Sequence, residues 1–281
     1  MQFYKFWAIG DGSAVAKNGD VIFRSAYGYS NESLADALHV AKTRAEQVAV
    51  NWTKEDTLGN YYPSGAIREE IVEQLEDDLG VTALISRNSY GALVLNAPHV
   101  FFADVDIPLS ELKKANSWFR FFKKPSGPGF EAKLVAKINS AITNDPTLGM
   151  RLYRTKLGYR ILVTSKTIAT KDPESKTLMS SLGSDGLYAR LCESQNCYRA
   201  RLSPKPWRCQ SARRPPSRFP FLEPGCEANY RTWESAYDRI TKKFATCALI
   251  GDFGNDQRDS RVQFVLRLHD RYVLNGEKPL A

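Results

Sequence analysis

Between residues 81 and 107 three short apolar segments follow one another, 81–87, 91–96 and 99–107, separated only by the Asn88-Ser89-Tyr90-Gly91 turn and by Pro98. Parallel neighbours in a sheet need a crossover of about a dozen residues or more, and these connections are too short for one. The segment therefore predicts antiparallel strands. With helical patterns on both sides of it, the chain reads as α+β, a central, mostly antiparallel sheet flanked by helices.

The flanking elements follow from periodicity and turn chemistry. Residues 2–29 read as aromatic-rich strands around Asn18-Gly19, a hairpin signal. From a cap at Ser30 or Asn31, the residues Leu34, Leu38, Ala41, Ala45 and Val48 mark one face of a helix. A second helix is expected over 66–79, with Ile67, Ile71, Leu75 and Leu79 as its stripe and Gly80 as its stop. Further helices are expected over 131–143, 174–182, 228–244 and 261–273, and strands over 150–154 and 159–165. The stretch 198–225 carries Pro204, Pro206, Pro215, Pro216, Pro220 and Pro224 and reads as irregular and extended. At roughly 150 residues per domain, 281 residues make one large domain or two small ones. The expected division is an N-terminal α/β unit at 1–98, a core at 99–210, and a proline-rich segment with C-terminal helices at 211–281 packing on that core.

Five cysteines, no run of roughly 18 apolar residues and no basic-then-apolar leader predict a cytoplasmic protein with free thiols and no membrane partner. The charge is +8, and its distribution is uneven. Lys113, Lys114, Arg120, Lys123 and Lys124 lie between Glu111 and Glu131 with no acid among them, interleaved with Trp118, Phe119, Phe121 and Phe122. Arg199, Arg201, Lys205, Arg208, Arg213, Arg214 and Arg218 lie between Glu193 and Glu223, again without an acid, beside Tyr198, Trp207 and Phe219. Cations alternating with rings suit a phosphate backbone with stacked bases, so DNA or RNA is the expected partner. The second of these windows is too proline-rich for the basic amphipathic helix that a membrane surface or calmodulin would require.

Three local patterns carry chemistry. In His99-Val-Phe-Phe-Ala-Asp104-Val-Asp106-Ile-Pro108 an apolar strand ends in two aspartates one residue apart. Residues i and i+2 of a strand share a face, so the carboxylates converge, and a divalent cation such as Mg²⁺ or Mn²⁺ would relieve their repulsion. In Tyr153-Arg154-Thr155-Lys156-Leu157-Gly158-Tyr159-Arg160 a polar turn leads to a cation at the start of an apolar strand, where it can hold a phosphate. In the third, Asp185 precedes Arg199, Arg201 and Lys205, with the two arginines on one strand face. Gly10-Asp11-Gly12 is not a phosphate loop, because Val15 stands where the fingerprint has its third glycine. Cys192, Cys197, Cys209 and Cys226 could hold zinc, but their spacing is not that of a knuckle, and buried free thiols are expected instead. His269-Asp270 reads as a pair on a helix surface.

In this order the three patterns resemble the catalytic core of the archaeo-eukaryotic primase superfamily, the primase-polymerases. The resemblance covers about 99–208. It implies a primase-like, RRM-like core in which Asp104, Asp106 and Asp185 are catalytic and hold divalent metal. It further implies that Thr155, Arg160, Arg199, Arg201 and Lys205 bind the nucleoside triphosphate. The windows with Lys113, Lys114, Trp118, Arg120, Lys123 and Lys124, and with Trp207, Arg208, Arg213 and Arg214, would then hold the nucleic acid. The implied activity is two-metal nucleotidyl transfer onto DNA or RNA. One departure stands out: the family's second motif has a nucleotide-binding histidine where this chain has Arg160. A non-catalytic nucleic-acid-binding protein that keeps the fold, or a metal-dependent nuclease using the same carboxylates, are the alternatives. The run from Cys192 to Cys209 is also similar to one found in a group of bacterial proteins, a likeness that implies no activity.

Overall fold

The computed structural model describes residues 1–53, 66–77, 80–115, 129–209 and 213–281. The hairpin expected near the N-terminus is β1 (Phe6–Val15) with β2 (Val21–Ser30), paired antiparallel from Phe6↔Ser30 to Val15↔Val21. Gly19 turns it with φ +88°, a backbone that glycine adopts without strain. Helix α1 (Leu34–Trp52) follows, capped by Ser33, whose hydroxyl accepts the amide of Asp36. Its buried stripe is Ala37, Ala41, Ala45 and Ala49, while Leu34 and Leu38 are exposed. The helix is thus rotated away from the expected leucine face, because the hairpin presents Gly10, Gly12 and Gly28 and admits a helix only at backbone contact. A Cβ on Gly28 would lie 2.1 Å from the carbonyl oxygen of Ala37. Gly28→Ala is expected to destabilise this unit by about 1–3 kcal/mol, read as a lower urea midpoint at unchanged slope.

The expected helix over 66–79 is not formed; β3 (Glu70–Asp77) is there instead. The apolar spacing of four from Ile71 to Leu75 fits two strand periods as well as one helical turn. Along β3 the less exposed Ile71, Glu73 and Leu75 alternate with the exposed Val72, Gln74 and Glu76, which is the period of a strand. Pairing with β4 (Gly80–Arg87) decided between the two.

The remaining elements are β5 (Leu93–Ala97), β6 (Phe102–Asp106), α2 (Leu109–Ala115), α3 (Phe130–Asn144), β7 (Gly149–Thr155) and β8 (Gly158–Val163). They continue with α4 (Pro173–Leu182), α5 (Gly186–Gln195), β9 (Tyr198–Arg201), a single 3₁₀ turn at Pro206–Arg208, α6 (Cys226–Thr241), β10 (Cys247–Gly254) and α7 (Ser260–Val273). The class is α+β, as expected. Among the described residues, however, the strands form three sheets: β1-β2, β10-β7-β8-β6 and β3-β4-β5-β9. Helix α5 and strand β10 were not expected, whereas β9 carries Arg199 and Arg201 on one strand face as expected. Asp185 starts α5 by accepting the amides of Leu187 and Tyr188. β9 is a four-residue strand inside the proline-rich stretch, held by Val94↔Arg201 and Ala97↔Tyr198.

The chain divides into two compact units. One contains residues 72–215 and 233–281 together with Met1, and the other contains 2–71 and 216–232. The expected boundaries at 98 and 210 both fall inside the first unit, since β4 and β5 share a sheet with β9. Its core gathers Ile85, Leu95, Phe101, Phe102, Ile138, Met150, Leu152 and Ile161. No helix among the described residues is long and apolar enough to cross a membrane.

Candidate functional site

The site lies on one face of the sheet β10-β7-β8-β6. Asp104 and Asp106 project from β6 on that face, and the register sets Asp104 opposite Arg160 and Asp106 opposite Gly158 on β8. Gly158 is required by close approach: a Cβ there would meet the carbonyl oxygen of Val105 at 2.4 Å. Tyr153, opposite Arg160 on β7, shares the face, and α7 brings His269 and Asp270 to it.

Arg160 is the centre of this arrangement. It is 1% exposed, yet its pKa stands above the ordinary arginine value: burial opposes the charge, and the Asp104 carboxylate outweighs it. Its Nε donates to Asp104 Oδ1 at 2.9 Å and its Nη2 to Oδ2 at 3.4 Å. Its Nη1 donates to the carbonyl oxygen of Arg201 at 2.9 Å and meets His269 Nε2 at 3.2 Å. Because a guanidinium only donates, His269 Nε2 is the acceptor, and the ring proton sits on Nδ1, 3.0 Å from Asp270 Oδ1. The tautomer is therefore defined, and burial lowers the histidine pKa to about 4. Asp270 is held in turn by the hydroxyl of Tyr153 and by Arg151 Nη1 at 2.7 Å. His269-Asp270 is thus not a surface pair, as the sequence had suggested: His269 is fully buried. A signal for this was present, since Val262, Val265, Leu266, His269 and Val273 fall on one helical stripe, and all are buried.

The third acid, Asp185, comes to the same place. Its amide donates to the carbonyl oxygen of Asp104 at 3.1 Å, as does the hydroxyl of Ser184 at 3.1 Å. Its own carboxylate caps α5 through both oxygens, to Leu187 N and Tyr188 N. Among the described residues, Asp106 is the one of the three acids that forms neither an ion pair within hydrogen-bond distance nor a helix cap. Partial burial raises its pKa, and Asp104 and Asp185 raise it further, against Lys205 and Arg208, which lower it.

Facing Asp106 are the cations expected to bind phosphate. Lys205 and Arg208 both have lowered pKa values, first through desolvation and then through like charge, with Arg201 repelling each. The Nε of Arg201 is buried, and among the described residues it has no hydrogen-bond partner. Trp207 is 49% exposed, edge-on to Tyr90 at 5.2 Å, with Arg214 Cζ 5.3 Å and Lys205 Nζ 5.6 Å from its ring centre. Tyr90 was not expected here, because it belongs to a turn far from 207 in sequence.

Other expected residues are placed differently. Arg199 shares a face with Arg201 but donates to Gln195 at the end of α5. Thr155 ends β7 opposite Cys247. Arg213 and Arg214 are exposed, and the carbonyl oxygen of Arg213 accepts the indole N–H of Trp233. Trp118, Arg120, Lys123 and Lys124 lie outside the described residues, as do the side chains of Lys113 and Lys114 on α2.

The donor set does not fit the two divalent ions that the primase-like reading implies. Both oxygens of Asp104 face a guanidinium, and both oxygens of Asp185 face helix amides. Among the described residues no three His, Cys, Asp or Glu side chains converge as metal ligands. The same holds for zinc at the cysteines. Cys192, Cys197 and Cys209 are buried free thiols, and among the described residues no three metal-ligating side chains converge on them. Comparison with known proteins finds no matching family model, no matching curated protein and no matching solved structure.

Proposed function

We propose that the chain binds nucleic acid through its phosphates, on a surface of Arg201, Lys205, Arg208 and Trp207 set beside a primase-polymerase-like acid pair, and that it does so without transferring nucleotides. The observation that carries this reading is the crowding of Arg201, Lys205 and Arg208. Lys205 and Arg208 are destabilised in their charged forms, and Arg201 has a buried N–H without an acceptor among the described residues. An anion such as a phosphate relieves both, and the exposed ring of Trp207 offers a base a stacking surface next to it. Binding without transfer is favoured because Arg160 already neutralises Asp104 and helix α5 already engages Asp185.

A second reading, metal-dependent nucleotidyl transfer from nucleoside triphosphates with Mg²⁺ or Mn²⁺, is favoured by Asp106. The two neighbouring carboxylates raise its pKa, and a bound cation would relieve that repulsion. A nuclease would draw on the same carboxylates.

Fluorescence anisotropy with labelled DNA and RNA oligonucleotides in EDTA, over 50–200 mM salt, tests the first reading. The expected result is metal-independent binding whose logarithm falls linearly with the logarithm of salt. Replacing Arg201, Lys205 and Arg208 together by alanine should lower that slope by about 2–3. Trp207→Ala should weaken binding by about 1–3 kcal/mol with the slope unchanged. Oligonucleotides lengthened or shortened only when Mg²⁺ and Asp106 are both present would establish the second reading. Absence of salt-sensitive binding would overturn the first.

A further inference from the structure

We propose that Arg160 is a built-in counter-ion that stands where a divalent cation would otherwise be drawn to the Asp104–Asp106 pair, so that the pair does not bind metal in this protein. The argument begins with strand register. Asp104 and Arg160 are directly opposite on β6 and β8, so their side chains leave the same face at the spacing of a cross-strand pair. The guanidinium then reaches both carboxylate oxygens, Nε donating to Oδ1 and Nη2 to Oδ2. A metal ion bound by Asp104 would compete for those oxygens and would sit within a few ångströms of a fixed, buried positive charge.

Arg160 is not free to swing away and admit one. Its Nη1 is held from the other side by the Arg201 carbonyl and by His269 Nε2. His269 is fixed by Asp270, and Asp270 by Tyr153 and Arg151. Every link is a hydrogen bond between groups of defined donor or acceptor role, and the side chains of Arg160, His269 and Tyr153 are fully buried. Releasing the guanidinium would leave a carboxylate, a carbonyl and an imidazole nitrogen without their partner. His269 and Asp270 are positioning residues in this arrangement: they aim Arg160 at Asp104 and touch no ligand.

The inference concerns the acid pair alone and does not rest on nucleic-acid binding, so it is tested with Mn²⁺ as the only ligand. Free Mn²⁺ is measured by electron paramagnetic resonance against four full-length proteins: the wild type, Asp106→Asn, Arg160→Gln and the double variant. Asp106 is exposed, so Asp106→Asn leaves the fold in place. Wild type and Asp106→Asn should retain Mn²⁺ equally. Arg160→Gln should gain a site roughly tenfold or more stronger than anything on the wild type, and the double variant should lose it. A Mn²⁺ site on the wild type that Asp106→Asn removes would overturn the proposal. So would a folded Arg160→Gln protein, with native circular dichroism, that gains none. If Arg160→Gln fails to fold, the wild type against Asp106→Asn decides alone.

Discussion

Arg160→Ala is expected to cost about 3–5 kcal/mol of folding stability, the range for removing one partner of a buried ion pair. The loss comes less from the attraction removed than from what is left behind. Asp104 is left beside Asp106 and Asp185 without its guanidinium, and the Arg201 carbonyl and His269 Nε2 lose their donor. Urea unfolding should show a lower midpoint at an unchanged slope. Removing the abandoned charge as well, in Arg160→Ala with Asp104→Ala, should recover part of the loss, and the non-additivity measures the pair. Full additivity of the two substitutions would mean that the contact does not couple them.

The second large effect is a dependence of stability on pH. Burial holds the His269 pKa near 4, below the value of about 6.5 for an exposed histidine. The unfolded chain therefore binds a proton at a higher pH than the folded one does. The stability contributed by neutral His269 is complete above about 6.5 and is lost as pH falls towards 4, roughly 3 kcal/mol in all. The groups around the ring act in both directions. Asp270 on the same helix and Asp104 on β6 favour its protonation, and Arg160 on β8 opposes it. Tyr153 on β7 donates its hydroxyl to Asp270. Asp270, held low by its partners against the cost of burial, adds its own loss only at still lower pH. Unfolding free energies measured at pH 7, 6 and 5 should fall along this slope in the wild type. In His269→Gln, which keeps an amide in place of the imidazole, the part of the slope due to this ring should be absent. An equal slope in both would show that the histidine titrates normally and is not sealed in.

Much of the local structure was legible because it depends on neighbours in the chain. The Asn18-Gly19 turn, the short connections between 81 and 107 and the stripes of α3, α4, α6 and α7 all express the backbone preferences of adjacent residues. The shared face of Asp104 and Asp106 follows from the strand period alone. Where two periods agreed, as at Ile71 and Leu75, the sequence left helix and strand open, and pairing with β4 chose the strand. Where the partner was made of glycine, as beneath α1, the buried face moved to the alanines.

The candidate site divides in the same way. Its residue types and their order could be read: two aspartates on a strand end, a cation at the head of the next strand, a third acid, and a run of arginines and lysine around Trp207. Which of them meet could not. Arg160 is 56 residues from Asp104 and 109 from His269 along the chain, and the sequence assigned it to a phosphate. Strand periodicity says which side chains share a face, but it does not say which strand lies alongside or in what register. The pairing of β6 with β8 and the burial of α7 on that face turned Arg160 inward onto an acid. The pairing of β9 with β5 likewise fixed Arg201, and the chain beyond it set Lys205 and Arg208 beside Asp106, a neighbourhood that sequence spacing alone could not supply.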